Sequence, residues 1–132
     1  MEVKIVYRLK IKIYYEDTDA GGVVYYANYL RYFERARTEF LLTQGINIAE
    51  YHEKGYLFAV VHVDIQYKKP ACLGDTIEVT TEVTAITNAT ISLKHMALKD
   101  ETLLVESQVK LACIDKDGKP QRLPAEVKKI GK

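Results

Sequence analysis

The chain has 132 residues, 48% hydrophobic and 28% charged, with 19 lysines and arginines against 18 aspartates and glutamates. This balance suits one compact core, and a single domain is expected over 1–132. A net charge of +1 argues against a nucleic-acid partner, so any phosphate recognition must be local.

The first strand is predicted from Ile5 to Ile13, where Ile5, Tyr7, Leu9, Ile11 and Ile13 alternate with Lys4, Arg8, Lys10 and Lys12. Such alternation lacks the uninterrupted apolar stretch of a signal peptide. No apolar run approaches the roughly 20 residues of a membrane span. A cytoplasmic protein without stable membrane insertion is expected. Asp19-Ala20-Gly21-Gly22 then breaks the pattern and predicts a loop.

Leu30, Phe33, Ala36, Phe40 and Leu41 recur at helical spacing, predicting a long helix over Leu30–Gln44, with Gly45 placed to end it. After a polar connection, Val61, Val63, Ile65 and Tyr67 alternate with His62, Asp64, Gln66 and Lys68, a second strand. Pro70 and Gly74-Asp75 interrupt it. Ile77, Val79, Val83 and Ala85 mark a third strand, and Ile91, Leu93 and Ala97 a fourth. Leu103, Val105, Val109, Leu111 and Cys113 mark a fifth, with a turn at Asp117-Gly118. The order of one strand, one long helix and four strands favours an α+β architecture with an antiparallel sheet on the helix. One sheet on one helix leaves an edge that a second copy can extend, so a homo-oligomer is expected.

Cys72 and Cys113 lie far apart without a CxxC or Cys/His cluster. Neither a disulfide framework nor a zinc site is supported, and both are expected to be buried thiols. Glu16, Asp17 and Asp19 lack the remaining ligands of a calcium loop. No metal or cofactor is expected.

The most informative stretch runs from Tyr14 to Tyr29, where three acids precede two glycines and an aromatic-rich helix start. A helix N-terminus carries N–H groups without internal partners and partial positive charge, so it can stabilise charge developing on a carbonyl oxygen. A carboxylate just before it can supply a base or a nucleophile; on spacing alone, however, a helix cap or strand terminator is the favoured reading of Asp19. Tyr15-Glu16-Asp17-Thr18-Asp19-Ala20-Gly21-Gly22-Val23-Val24-Tyr25, then Tyr29 to Glu39, then Tyr67-Lys68-Lys69-Pro70 with Gly74-Asp75, resembles the 4-hydroxybenzoyl-CoA thioesterase family. The resemblance is closer to its bacterial Tol-Pal-associated acyl-CoA thioesterase branch.

That resemblance implies a hot-dog fold: a long central helix wrapped by an antiparallel sheet of about five strands, with two subunits forming shared clefts. It implies an acyl-CoA thioesterase working as a homodimer or homotetramer on acyl-CoA or an acyl carrier protein. The catalytic aspartate falls on Asp19 and the main-chain oxyanion donor on Tyr26, with Asp17 in a structural role. Tyr26 stands where many members of the closer branch have histidine, so no histidine-specific role carries over.

The candidate substrate-binding residues are Gly22, Val24, Tyr25 and Tyr29 around the helix start, with Lys68, its neighbour Lys69 and Lys94 for CoA phosphates. Core packing for the aromatics and a solvated strand surface for the lysines are the competing readings. His52, His62 and His95 are expected to be structural or surface residues. A hot-dog dehydratase would place a histidine-led motif on the helix, and none is present. A noncatalytic acyl-thioester or protein-binding module is the alternative of a different class.

Overall fold

The computed structural model describes residues 5–130. Five strands form one antiparallel sheet: β1 (Tyr7–Lys12), β2 (Leu57–Tyr67), β3 (Thr76–Ile86), β4 (Thr90–Lys99) and β5 (Thr102–Ile114), in the spatial order β1-β3-β4-β5-β2. The long helix α1 (Asn28–Thr43) lies against β3 and β1 on one face. The short helix α2 (Ile48–Glu53) contacts α1, and Val127 of the short helix α3 (Ala125–Lys128) joins the same apolar cluster as Phe40 and Leu41. This is the expected α+β hot-dog arrangement.

Period-two patterning became alternating burial. In β4 Ile91, Leu93, His95 and Ala97 are buried beneath α1, while Ser92, Lys94 and Met96 face outward. His95 packs face-on against Phe33 of α1, ring centroids 5.0 Å apart. Its Nδ1 lies 3.0 Å from Thr81 Oγ1, a hydroxyl that can donate or accept, and 3.2 Å from the Thr80 carbonyl, which can only accept.

Helix α1 begins two residues before its predicted start and stops where Gly45 takes φ +81°. There the Gly45 N–H donates to the Leu42 carbonyl at 3.0 Å and the Ile46 N–H to the Leu41 carbonyl at 2.9 Å, closing the orphan carbonyls as in a Schellman motif. Its buried face is Tyr29, Tyr32, Phe33, Ala36, Phe40 and Leu41. Leu30, expected on that stripe, is exposed, because Tyr29 and Phe33 define the inward direction of the first turn.

Three further departures have local causes. The polar connection contains α2, whose Asn47 side chain accepts from the Ala49 and Glu50 N–H groups. Strand β2 starts four residues before the predicted run, and its register shifts between Val60 and His62. It is an edge strand on which Val60, Val61 and Val63 are exposed. Cys72 is also exposed, correcting the expectation of two buried thiols; Cys113 is buried. No helix among the described residues is long and apolar enough to cross a membrane.

Candidate active site

The segment between β1 and α1 is a small hairpin held from both sides. A 3-10 turn at Tyr15–Asp17 opens it. The Asp17 carboxylate accepts from the Tyr14 N–H at 2.8 Å and from Asn28 Nδ2 at 3.1 Å, and its carbonyl accepts from the Tyr25 N–H at 3.0 Å. Asp17 thereby ties the loop to the start of α1, a structural use of both carboxylate oxygens.

Asp19 sits at the hairpin tip, exposed. Its N–H donates to the Val23 carbonyl at 2.9 Å, and its carbonyl accepts from the Gly22 N–H at 3.1 Å. Gly22 takes φ +78° to close this turn, a conformation that side-chain-bearing residues adopt at a cost. Asp19 Oδ1 accepts from the Gly21 N–H at 2.8 Å. Among the described residues, Oδ2 has no hydrogen-bond or ion-pair partner.

The returning arm of the hairpin is pinned to the segment after β2. The Val24 N–H donates to the Ala71 carbonyl at 2.8 Å, and the Leu73 N–H to the Gly22 carbonyl at 3.0 Å. Tyr29 Oη accepts from the Ala71 N–H at 3.2 Å, and Tyr67 Oη donates to the Tyr26 carbonyl at 2.9 Å. Burial raises the pKa of both phenols above the ordinary tyrosine value, keeping them protonated.

Between these two segments lies an open cavity of about 260 Å³ lined by Val24, Tyr26, Tyr29, Tyr67, Lys68, Lys69 and Pro70. Tyr67 meets Tyr26 and Tyr29 edge-on, with ring centroids 6.3 and 5.8 Å apart. Among the described residues no acceptor meets the Tyr26 N–H. The groove thus combines aromatic walls with two lysines, and one of its lining residues, Tyr26, carries a main-chain donor without a partner among the described residues.

A family model described as the thioesterase-like superfamily matches residues 14–130. The chain belongs to that superfamily. Its relatives include the acyl-CoA thioesterase YbgC of Haemophilus influenzae, 43% identical over 120 residues covering 89% of this chain and 88% of the relative. The acyl-CoA thioester hydrolase YbgC of Escherichia coli O157:H7 is 36% identical over 124 residues, 92% of each chain. A solved structure from Bartonella henselae, named a probable thioesterase, superposes with TM-score 0.85 at 35% identity, covering 91% of this chain and all of that one.

In this member of the thioesterase-like superfamily, the candidate residues do not all meet in one place. Val24, Tyr26, Tyr29 and Lys68 line the groove, and the Tyr25 ring packs on Tyr26 at 4.8 Å. Asp19 and Gly22 form the adjoining hairpin tip rather than the groove wall. Lys94 stands apart: it is on the outer sheet face, opposite α1, and its Nζ lies 3.3 Å from Glu106. That side was legible from Leu93 and Ala97, whose inward register turns Lys94 outward. Lys69, grouped with Lys68 as a candidate for CoA phosphates, lines the same groove, whereas Tyr67 and Pro70 entered the reading only as part of the Tyr67-Lys68-Lys69-Pro70 motif.

Proposed function

We propose that this chain is an acyl-CoA thioesterase that uses Asp19 as base or nucleophile and the Tyr26 N–H as oxyanion donor. The observation that carries the reading is a carboxylate with one oxygen unpartnered, seven residues before an unpartnered main-chain N–H that borders an aromatic groove. The thioester carbonyl receives the Tyr26 N–H, which stabilises the negative charge that grows on oxygen as the carbon is attacked. Asp19 either takes a proton from the attacking water or adds to the carbonyl to give an anhydride that water then opens. Either way a C–O bond replaces the C–S bond. The products are a free carboxylic acid and CoA, whose sulfur ends as the thiol.

Val24 and Tyr29 contact the acyl group, Tyr25 supports Tyr26, and Gly22 gives the hairpin its turn. Lys68, with Lys69 beside it, meets the CoA phosphates at the rim. The exposed apolar edge of β2, with Val60, Val61 and Val63, supports assembly of a homodimer or homotetramer around shared clefts. The resemblance further supports a cytoplasmic single-domain enzyme of the Tol-Pal-associated branch, with acyl carrier protein as an alternative carrier.

The test is hydrolysis of short, long and aromatic acyl-CoAs with detection of free thiol. Turnover selective for part of the panel is the expected result. Tight binding of the same thioesters without release of thiol identifies a noncatalytic module and refutes the enzyme reading.

A further inference from the structure

An amide donor lowers a reaction barrier in proportion to how firmly it is aimed before charge develops, because a donor that must reorient loses its electrostatic advantage. The Tyr26 N–H belongs to a peptide plane with an anchor on each side. On one side, the Tyr25 carbonyl accepts from the Asn28 N–H at 2.9 Å. The C=O and N–H of a trans peptide point in opposite directions, so this bond turns the Tyr26 N–H away from the first turn of α1. On the other side, the Tyr26 carbonyl accepts from Tyr67 Oη at 2.9 Å, and among the described residues no other donor reaches it.

Only the two backbone dihedrals of Tyr26 connect these planes. Holding both planes fixes both dihedrals, and with them the direction of the donor. Tyr67 is well placed to impose this restraint. It ends β2 in register with Val105, and its ring stands edge-on between Tyr26 and Tyr29. The phenol is therefore aimed by a strand and two aromatic neighbours rather than by a free loop.

We propose that Tyr67 is a positioning residue for the reaction: its hydroxyl locks the Tyr26–Ala27 peptide and so holds the Tyr26 N–H on the thioester carbonyl. The inference rests on the assignment of Tyr26 as oxyanion donor. The ring of Tyr67 also walls the groove, but ring and hydroxyl are separable by substitution. Tyr67→Phe removes only the hydroxyl, and Tyr67→Leu removes both.

Steady-state kinetics on the best substrate of the panel decide the matter. Tyr67→Phe is expected to lower kcat about 10-fold, short of the ~10²–10³ lost when an oxyanion donor is deleted outright, with KM within about twofold of wild type. Its thermal midpoint stays close to wild type, and a CoA thioether analogue, which has no carbonyl, binds it as tightly as before. Tyr67→Leu adds a rise in KM. A Tyr67→Phe enzyme with wild-type kcat, or one changed in KM alone, overturns the proposal and leaves Tyr67 a groove wall. Asp19→Asn in the same assay separates the two levels. If Asp19→Asn is inactive while Tyr67→Phe is normal, only the positioning role falls; if Asp19→Asn is fully active, the site assignment beneath it falls as well.

Discussion

Protonation of His95 gives a stability test with a defined sign and size. The imidazole is fully buried between Phe33 and the sheet, and its Nε2 has no partner. Burial, with the nearby Arg37 charge, lowers its pKa from 6.5 to about 3. The folded state holds His95 neutral while the unfolded chain takes up a proton below pH 6.5, so the unfolded state binds more protons and stability falls on acidification. One proton changes stability by at most about 1.4 kcal/mol per pH unit. From about pH 7.5 to about pH 5 the integrated loss is therefore about 2 kcal/mol. The remaining shift continues the loss toward pH 3.

Urea unfolding across that window measures it, with His95→Asn as the comparison. The Asn amide can still donate to the Thr80 carbonyl but does not titrate. That variant is less stable at neutral pH because the ring contact with Phe33 is gone, so the informative quantity is the slope with pH rather than the absolute stability. Wild type is expected to lose about 2 kcal/mol more than His95→Asn over the window. His52 and His62 are exposed and common to both proteins, so they cancel in the comparison. Equal slopes would show that His95 is not a buried neutral imidazole and would refute the reasoning.

Two further outcomes follow from the backbone and the thiols. Asp100 and Glu101 both take positive φ, 48° and 72°, in the β4–β5 turn. Glu101→Gly is expected to stabilise the protein by about 1 kcal/mol by removing a side chain from a left-handed position, read as a higher midpoint in thermal unfolding; an unchanged or lower midpoint contradicts it. Cys72 is exposed and Cys113 buried. Iodoacetamide should modify one thiol in the native protein and two after unfolding; rapid native modification of both would contradict this burial.

Much of this fold was legible because each face of a half-buried strand sees one environment. Leu93 and Ala97 point inward with His95, and that periodicity survives in the sequence. The main stripe of α1 was legible for the same reason. Its first turn was not, because Tyr29 and Tyr32 are amphipathic and only tertiary packing decided that they, rather than Leu30, are buried. Helix α2 has six residues, too short for periodicity to register, although Asn47 followed by Glu50 carries a capping pattern. Cys72 was misread because a thiol packs by default as a small hydrophobe, whereas here its main chain braces the hairpin.

Within the site, Asp19, the glycines and the helix start were visible as one contiguous motif. The bond from Tyr67 to Tyr26 spans 41 residues and depends on where β2 ends in the sheet. No local pattern encodes that meeting.

The catalytic assignment is tested most directly by measuring kcat of Asp19→Asn on the acyl-CoA that wild type hydrolyses best, with its fold checked by thermal unfolding. Substitution by an amide of the same shape removes the base and the nucleophile together while still accepting from the Gly21 N–H. A fall in kcat of at least about 10²-fold in a folded protein is expected, the lower end of what positioned acid–base groups contribute. Activity within a few-fold of wild type would contradict the assignment.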